Sequence, residues 1–381
     1  MNKQLNIEAI KEAAKNAGFN QSQIAEKLDI SRAAVSKWFK AQTTPRPAEL
    51  LKLGKLLGLR HKDLYLQAPN PNAPLVAFRK RASTKTTDKH IERAKLMGLF
   101  LQPLVQYFDF DPYLAAPALK SPSLDYKYIQ GLVSQIRTDL EIKADAPVDF
   151  QQLIGLFAKY QAKLIPTLWG EKSKHENALH IYLPDSQTTW VYLNLDTNIH
   201  DFKFWMAHEL GHVMSISLLE SGDVDFAEDF ADTFAGALLY PATVAAGSYI
   251  RYRDAKTESA RLKVLVAEAR EFVISPLSVY KELEKYAEAN GQPFKTIEQG
   301  KLHASISRFN QGFKNLSHAL LETEQPTAEA YFELVKNAFG SDFFDGLQKY
   351  LNDTGASLTS LCNILNVSPV DAKAYHEALS H

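Results

Sequence analysis

Along most of this chain apolar side chains recur every three to four residues, the period of an α-helix, and only briefly every two, the period of a strand. In NQSQIAEKLDISRAAVSKWFK the pattern predicts two short helices about a tight turn, the first over residues 21–28. Ala25 is small where the helices must cross, and Leu28 and Ile30 are apolar around the turn. Ser31 is placed to cap a second helix that carries Val35 and Trp38 inward. Helical periodicity returns up to about residue 108 and again over 124–142 and 149–162, and it dominates the chain beyond about residue 253. The segments ALHIYLP and TWVYLNLD alternate instead, which predicts two strands around a turn at 185–187.

Two breaks interrupt these patterns. Residues 67–89 are rich in Pro, Asn, Ser, Thr and positive charge and read as a linker, and FDPYLAAPALKSPS, 110–123, is the second break. The chain therefore reads as multidomain and mainly α, with an all-α helix-turn-helix unit at 1–66 and a linker with a connecting helix at 67–123. A central α+β domain at 124–250 and a helical C-terminal domain at 251–381 complete it. The end, SLTSLCNILNVSPVDAKAYHEAL, faintly repeats the first turn, with Leu365, Val367 and Ser368 echoing Leu28, Ile30 and Ser31. It lacks a basic outer face, so it reads as a module for packing or for a homodimer.

Composition changes this picture in three places. With 45% apolar and 23% charged residues over 381 positions, the chain has an ordinary soluble composition. No apolar run approaches the roughly 20 residues needed to span a bilayer. The start, MNKQLNIEAIKEAAKN, also lacks the apolar core of a secretory signal, so a cytoplasmic protein with no membrane partner is expected. The single cysteine, Cys362, forms no internal disulfide and falls in an apolar helical pattern, as a buried thiol would. Finally, residues 1–95 hold 19 Lys and Arg against 8 Asp and Glu, while the remainder holds 24 against 36. Such asymmetry points to a polyanionic partner for the first part alone.

In the predicted second helix, Arg32, Ala33, Ser36, Lys37 and Lys40 face outward. Arg32, near the helix start, suits two hydrogen bonds to a guanine edge in the major groove, Lys37 and Lys40 suit phosphate, and Gln21 would sit against the backbone. These residues, followed by PRPAELLKLGKLLGLRHKDLYL, resemble the XRE (phage-repressor-like) helix-turn-helix family over roughly residues 5–66. The resemblance implies transcription regulation through double-stranded DNA. Position 29 departs from it, since the family often has Gly in the turn, but Asp29 is tolerable because Asp visits left-handed conformations readily. Arg79, Lys80 and Arg81 in the linker would extend the phosphate contacts.

FKFWMAHELGHVMSIS, 202–217, groups His208, Glu209 and His212. His-Glu-x-x-His arises by chance in roughly one in a hundred chains of this length at average residue frequencies. On a helix the two His are about 400° apart, so both imidazoles leave one face and can share a zinc ion, with Glu209 beside it. A catalytic zinc needs a third protein ligand and an open position. DFAEDFADTFAGALLYP supplies Glu228 and Asp232 on one helical face, with Phe226, Phe230, Phe234 and Leu238 as a separate core stripe. Glu228 is the expected third ligand, with Asp223, Asp225 and Asp229 as competitors, and Asp232 would orient a ligand His.

AHELGH, the Glu228–Asp232 pair and FAGALLYP together resemble the ImmA/IrrE family of gluzincin-like metallopeptidases over about residues 124–245, with a weaker match around Arg137. The resemblance implies a metalloprotease, a hydrolase in which His208, His212 and Glu228 bind Zn2+ and Glu209 is the base; its substrates are often DNA-bound repressors. Zinc would bring water toward neutral pKa, and Glu209 would take the proton and later deliver it to the leaving amine. His180, His200, Tyr240 and Tyr249 compete for the role of oxyanion donor. A peptide should add to one strand of the 178–196 hairpin, and within the chain itself residues 77–88 are the accessible place to cut. Two other readings are a one-component transcription factor whose peptidase-like domain senses a ligand without cutting, and an antitoxin-like DNA-binding protein.

Overall fold

The computed structural model describes residues 5–65, 70, 72–77, 88–111, 119–170, 177–321, 323 and 326–380. The chain divides into two compact units, residues 1–71 and 72–381. The expected boundaries at 123 and 250 both fall inside the second unit. Most of the expected linker, including Arg79, Lys80 and Arg81 and nearly all of the 77–88 stretch, lies outside the described residues, as do 112–118 of the second break.

The first unit is a helical bundle of α1 (Ile7–Asn16), α2 (Gln21–Leu28), α3 (Arg32–Phe39) and α4 (Pro47–Leu57). Its ends are tied together where Asn6 donates its backbone N–H to the Leu64 carbonyl at 3.0 Å. Ile24, Ala25, Leu28, Val35 and Trp38 meet Leu50, Leu53 and Leu57 in its core.

The second unit is built on a four-stranded sheet of β1 (Leu75–Ala77), β2 (Ala162–Thr167), β3 (Ala178–Leu183) and β4 (Thr188–Asn194), in the order β1-β3-β4-β2. β3 is antiparallel to both β1 and β4, whereas β2 runs parallel to β4. Every residue of β4 is buried, so the sheet is covered on both faces. The helices around it are α5 (Asp88–Leu101), α6 (Tyr126–Asp139), α7 (Phe150–Lys159), α8 (Ile199–Met214), α9 (Ile216–Glu220) and α10 (Val224–Leu239). There follow α11 (Ala242–Asp254), α12 (Glu258–Phe272), α13 (Pro276–Ala289), α14 (Gln299–Asn310), α15 (Leu316–Leu321), α16 (Ala328–Phe339), α17 (Phe343–Thr354), α18 (Leu358–Leu365) and α19 (Pro369–Leu379).

β1 and β2 are strands that the periodicity does not reveal. β2 follows directly on α7, where AKLIPT is a short apolar run that reads equally well as the end of a buried helix. Pro166 sits in it without harm because β2 is an edge strand. β1 is three residues inside a stretch of linker-like composition, and only its pairing partner makes it a strand. Its presence corrects one expectation. Both strands of the 178–196 hairpin are interior, so the hairpin offers no free edge along residues 180–182.

The C-terminal helices complete the core. The Trp169 indole donates to the Leu365 carbonyl at 2.8 Å and the Tyr192 hydroxyl to the Ile364 carbonyl at 2.7 Å, so side chains from the sheet region cap the end of α18. Phe108 and Phe343 pack on Trp190 of β4. The α18–α19 turn repeats the α2–α3 turn in backbone, with Asn366 left-handed at φ 56° as Asp29 is, and with Ser368 capping α19 as Ser31 caps α3. Here the turn serves packing, with Leu361, Ile364 and Leu365 buried. Cys362 is half-buried rather than enclosed.

α8 and α10 lie unusually close. A β-carbon at Gly211 would stand 2.9 Å from the Ala231 Cα and 3.3 Å from Phe234 Cδ1. Gly211→Val is therefore expected to wedge the helices apart, lowering unfolding free energy by about 1–3 kcal/mol in urea titration, as overpacking does. It should lower the bound metal content in the same samples.

Candidate metal centre and nucleic-acid interface

α8 is buried through nearly its whole second half, and it presents His208 and His212 one turn apart toward α10. Their Nε2 atoms lie 3.1 Å apart. Glu228, in the second turn of α10, places Oε2 3.5 Å from His208 Nε2 and Oε1 3.4 Å from His212 Nε2. Ligands held tetrahedrally at about 2.1 Å from a zinc ion stand about 3.4 Å from one another. The three side chains are the cluster of metal-ligating type found among the described residues. Of the competing acids, Asp223 instead caps α10 through the Phe226 N–H at 3.2 Å. Asp232, one turn beyond Glu228, sets Oδ1 2.9 Å from His208 Nδ1 and so turns its Nε2 toward the centre.

The electrostatics agree with a cation at this point. Burial disfavours charge on His208, yet its hydrogen bond to Asp232 and the nearby Glu228 and Glu209 carboxylates outweigh burial and raise its pKa to about 10. Burial would raise Glu228, but the two facing imidazoles bring it down to about 2. Burial lowers His212 and drives His180 well below the usual imidazole range. Both Glu228 oxygens are buried without a hydrogen-bond partner, as are His212 Nδ1, Glu209 Oε2 and both ring nitrogens of His180. Unpaired buried polar atoms cost several kcal/mol in an apolar setting, on the order of 1–3 kcal/mol each by mutation. A cation among the two Nε2 atoms and the carboxylate removes that cost at the Glu228 oxygens. The N2O donor set suits zinc.

Glu209, 3% exposed, is raised by burial to about 8. Its Oε2 lies 3.8 Å from His180 Nδ1, and the His180 ring is 5.5 Å from that of His212. Of the four residues competing for the oxyanion, His180 is the one at the cluster. His200 bonds Asn310 at 2.8 Å, Tyr240 donates to Glu268 at 2.8 Å and Tyr249 donates to the Pro293 carbonyl at 2.6 Å. The signal for His180 was its place as the one imidazole on an otherwise apolar buried strand. Arg137 acts at a distance, donating to the Leu238 carbonyl at 3.0 Å and to the Lys143 carbonyl at 2.9 Å, and thereby anchors the end of α10 to α6.

In the first unit, Asn20 and Gln23 form a reciprocal capping box on α2, and Ser31 accepts from the Ala34 N–H at 3.2 Å. Asp29 takes the left-handed turn position, φ 56° and ψ 50°. With Ile24, Val35 and Trp38 directed inward, Arg32, Ala33, Lys37 and Lys40 are exposed, whereas Gln21 and Ser36 are half-buried.

Zinc analysis is expected to find about one ion per chain, and His212→Ala or Glu228→Ala to remove it. Asp232→Asn should weaken zinc about 10–100-fold by freeing the His208 ring. For DNA, Arg32→Ala should cost about 1–3 kcal/mol and relax preference at one base pair. Lys37→Ala should weaken every sequence and flatten the salt dependence, both read by titration of specific and random duplexes.

The profile of the helix-turn-helix family matches residues 10–64. No curated protein and no solved structure matches the chain. Among the described residues no helix is long and apolar enough to cross a membrane. The first unit is thus a helix-turn-helix of the XRE type, the DNA-binding part of a transcription regulator.

Proposed function

We propose that the second unit is a zinc endopeptidase that cuts a partner protein such as a repressor, joined in one chain to its DNA-binding unit. The observation that supports this reading is the convergence of His208, His212 and Glu228 with Glu209 alongside. A pure structural zinc site would have no use for Glu209, and a fourth protein ligand would close the coordination.

His208, His212 and Glu228 would hold the ion, which when bound supplies the Lewis acidity that makes water nucleophilic near neutral pH. Asp232 keeps the His208 ring oriented. Glu209, buried beside the ligands, would in its ionised form take a proton from water at Oε and hand it to the leaving amine. His180, kept neutral by burial, has one N–H to offer to oxygen charge developing at the scissile carbonyl. The apolar walls of α8 and α10 exclude bulk water and strengthen these interactions.

The deciding experiment incubates the zinc-loaded chain with the product of the adjacent gene and reads fragments by mass spectrometry. Wild type should clip it, and Glu209→Gln should retain zinc yet clip at least a hundredfold more slowly, since the amide cannot accept the proton. Clipping that survives Glu209→Gln, or zinc content that survives both His208→Ala and His212→Ala, would overturn the assignment.

A further inference from the structure

We propose that β1 is an intramolecular occupant of the peptide-binding cleft, so that the chain holds its own peptidase site shut. This rests on the endopeptidase reading and adds the occupant and regulation of that site.

Three observations carry it. First, β1 lies where a substrate strand would lie. It adds to the sheet antiparallel to β3, with Ala77 opposite His180 and Leu75 opposite Tyr182. Directly opposed residues project to the same face of a sheet, so Leu75 and Ala77 share the face of His180, whose ring reaches Glu209 and His212. Second, β1 spans the space between β3 and the helix that carries the third ligand. Ala77, 1% exposed, forms a buried apolar cluster with Leu219 of α9 and Ala227, the neighbour of Glu228, and Leu75, Ile216 and Leu218 pack against that cluster. Third, the opposite face is shaped to receive it. A β-carbon on Gly98 of α5 would stand 2.5 Å from Pro74 Cβ, so the glycine provides the room in which the strand's leading residue lies.

The consequence is a closed centre. His208, Glu209, His212 and Glu228 are all buried in the structure that has β1 on the sheet, and His212 is 0% exposed. A peptidase must admit an extended peptide whose backbone pairs with an edge, and the edge beside His180 is taken. The cleft thus accepts an extended segment with a small side chain opposite Ala227 and an apolar one two residues before it. The tether keeps its own strand at an effective concentration near millimolar, so a substrate must displace it or the strand must be drawn out.

The test uses the full zinc-loaded chain and two readouts: the rate of zinc loss to excess chelator, and anisotropy of a fluorescein-labelled peptide NAPLVA, the sequence of residues 72–77. Ala77→Asp places a carboxylate between Leu219 and Ala227 and should expel β1. Zinc loss should rise at least tenfold and the peptide should bind saturably to this variant but not to wild type. In a second variant, Leu75→Cys with Tyr182→Cys, oxidation should slow zinc loss at least tenfold relative to the reduced form of the same molecules. Equal zinc-loss rates in all forms, or peptide bound alike by wild type and Ala77→Asp, would overturn the inference. Wild type without zinc would overturn the endopeptidase reading alone, and the peptide readout would then decide the inference by itself.

Discussion

The second unit depends on one close approach, that of α8 to α10 at Gly211. Only a residue without a β-carbon lets the Ala231 backbone come this near, and the nearness brings Glu228 within 3.5 Å of both imidazoles. The approach is held from outside the site. Arg137 fastens the end of α10 to α6 through backbone carbonyls, and Phe230 and Phe234 stack within the helix as part of the core. The apolar contact supplies the stabilisation that placing three buried ionisable groups together would otherwise cost.

The remainder of the unit serves to keep that cluster dry and in register. β3 contributes His180 from the sheet side, and β4 is buried on both faces by helices from widely separated parts of the chain. The last third of the chain is a wall of this core rather than an appendage. Trp169 and Tyr192 terminate α18 with hydrogen bonds that a surface helix would take from water. Burial so complete is suited to a site whose electrostatics must be strong, and β1 adds to it with Ala77, buried against Leu219 and Ala227.

The first unit has an independent logic. Its core is a separate cluster, its turn is made by a left-handed Asp29 between two well-capped helices, and Arg32 and Lys37 on α3 are among its exposed cations. Charge is uneven along the chain: Lys and Arg are in excess over the first 95 residues, which reach past the first unit into the second, and Asp and Glu are in excess beyond them.

How much of this could be read without coordinates depended on whether the interaction was local. The α2–α3 turn, its caps and the shared face of His208 and His212 are set within a few residues by backbone hydrogen bonding and helical period, so NQSQIAEKLDISRAAVSKWFK and AHELGH suffice to predict them. Glu228 and Asp232 were legible as a pair on one face for the same reason. β2 hid in an apolar run whose period favours neither element, and β1 hid in linker-like composition, because a three-residue strand is defined by its partner. Whether the hairpin kept a free edge, which of His180, His200, Tyr240 and Tyr249 stood at the cluster, and whether residues 251–381 formed a separate body were matters of contacts between distant segments. Local pattern specifies which groups a helix or strand presents. Only tertiary packing decides what they are presented to, because that choice is made by burial and pairing across the whole chain.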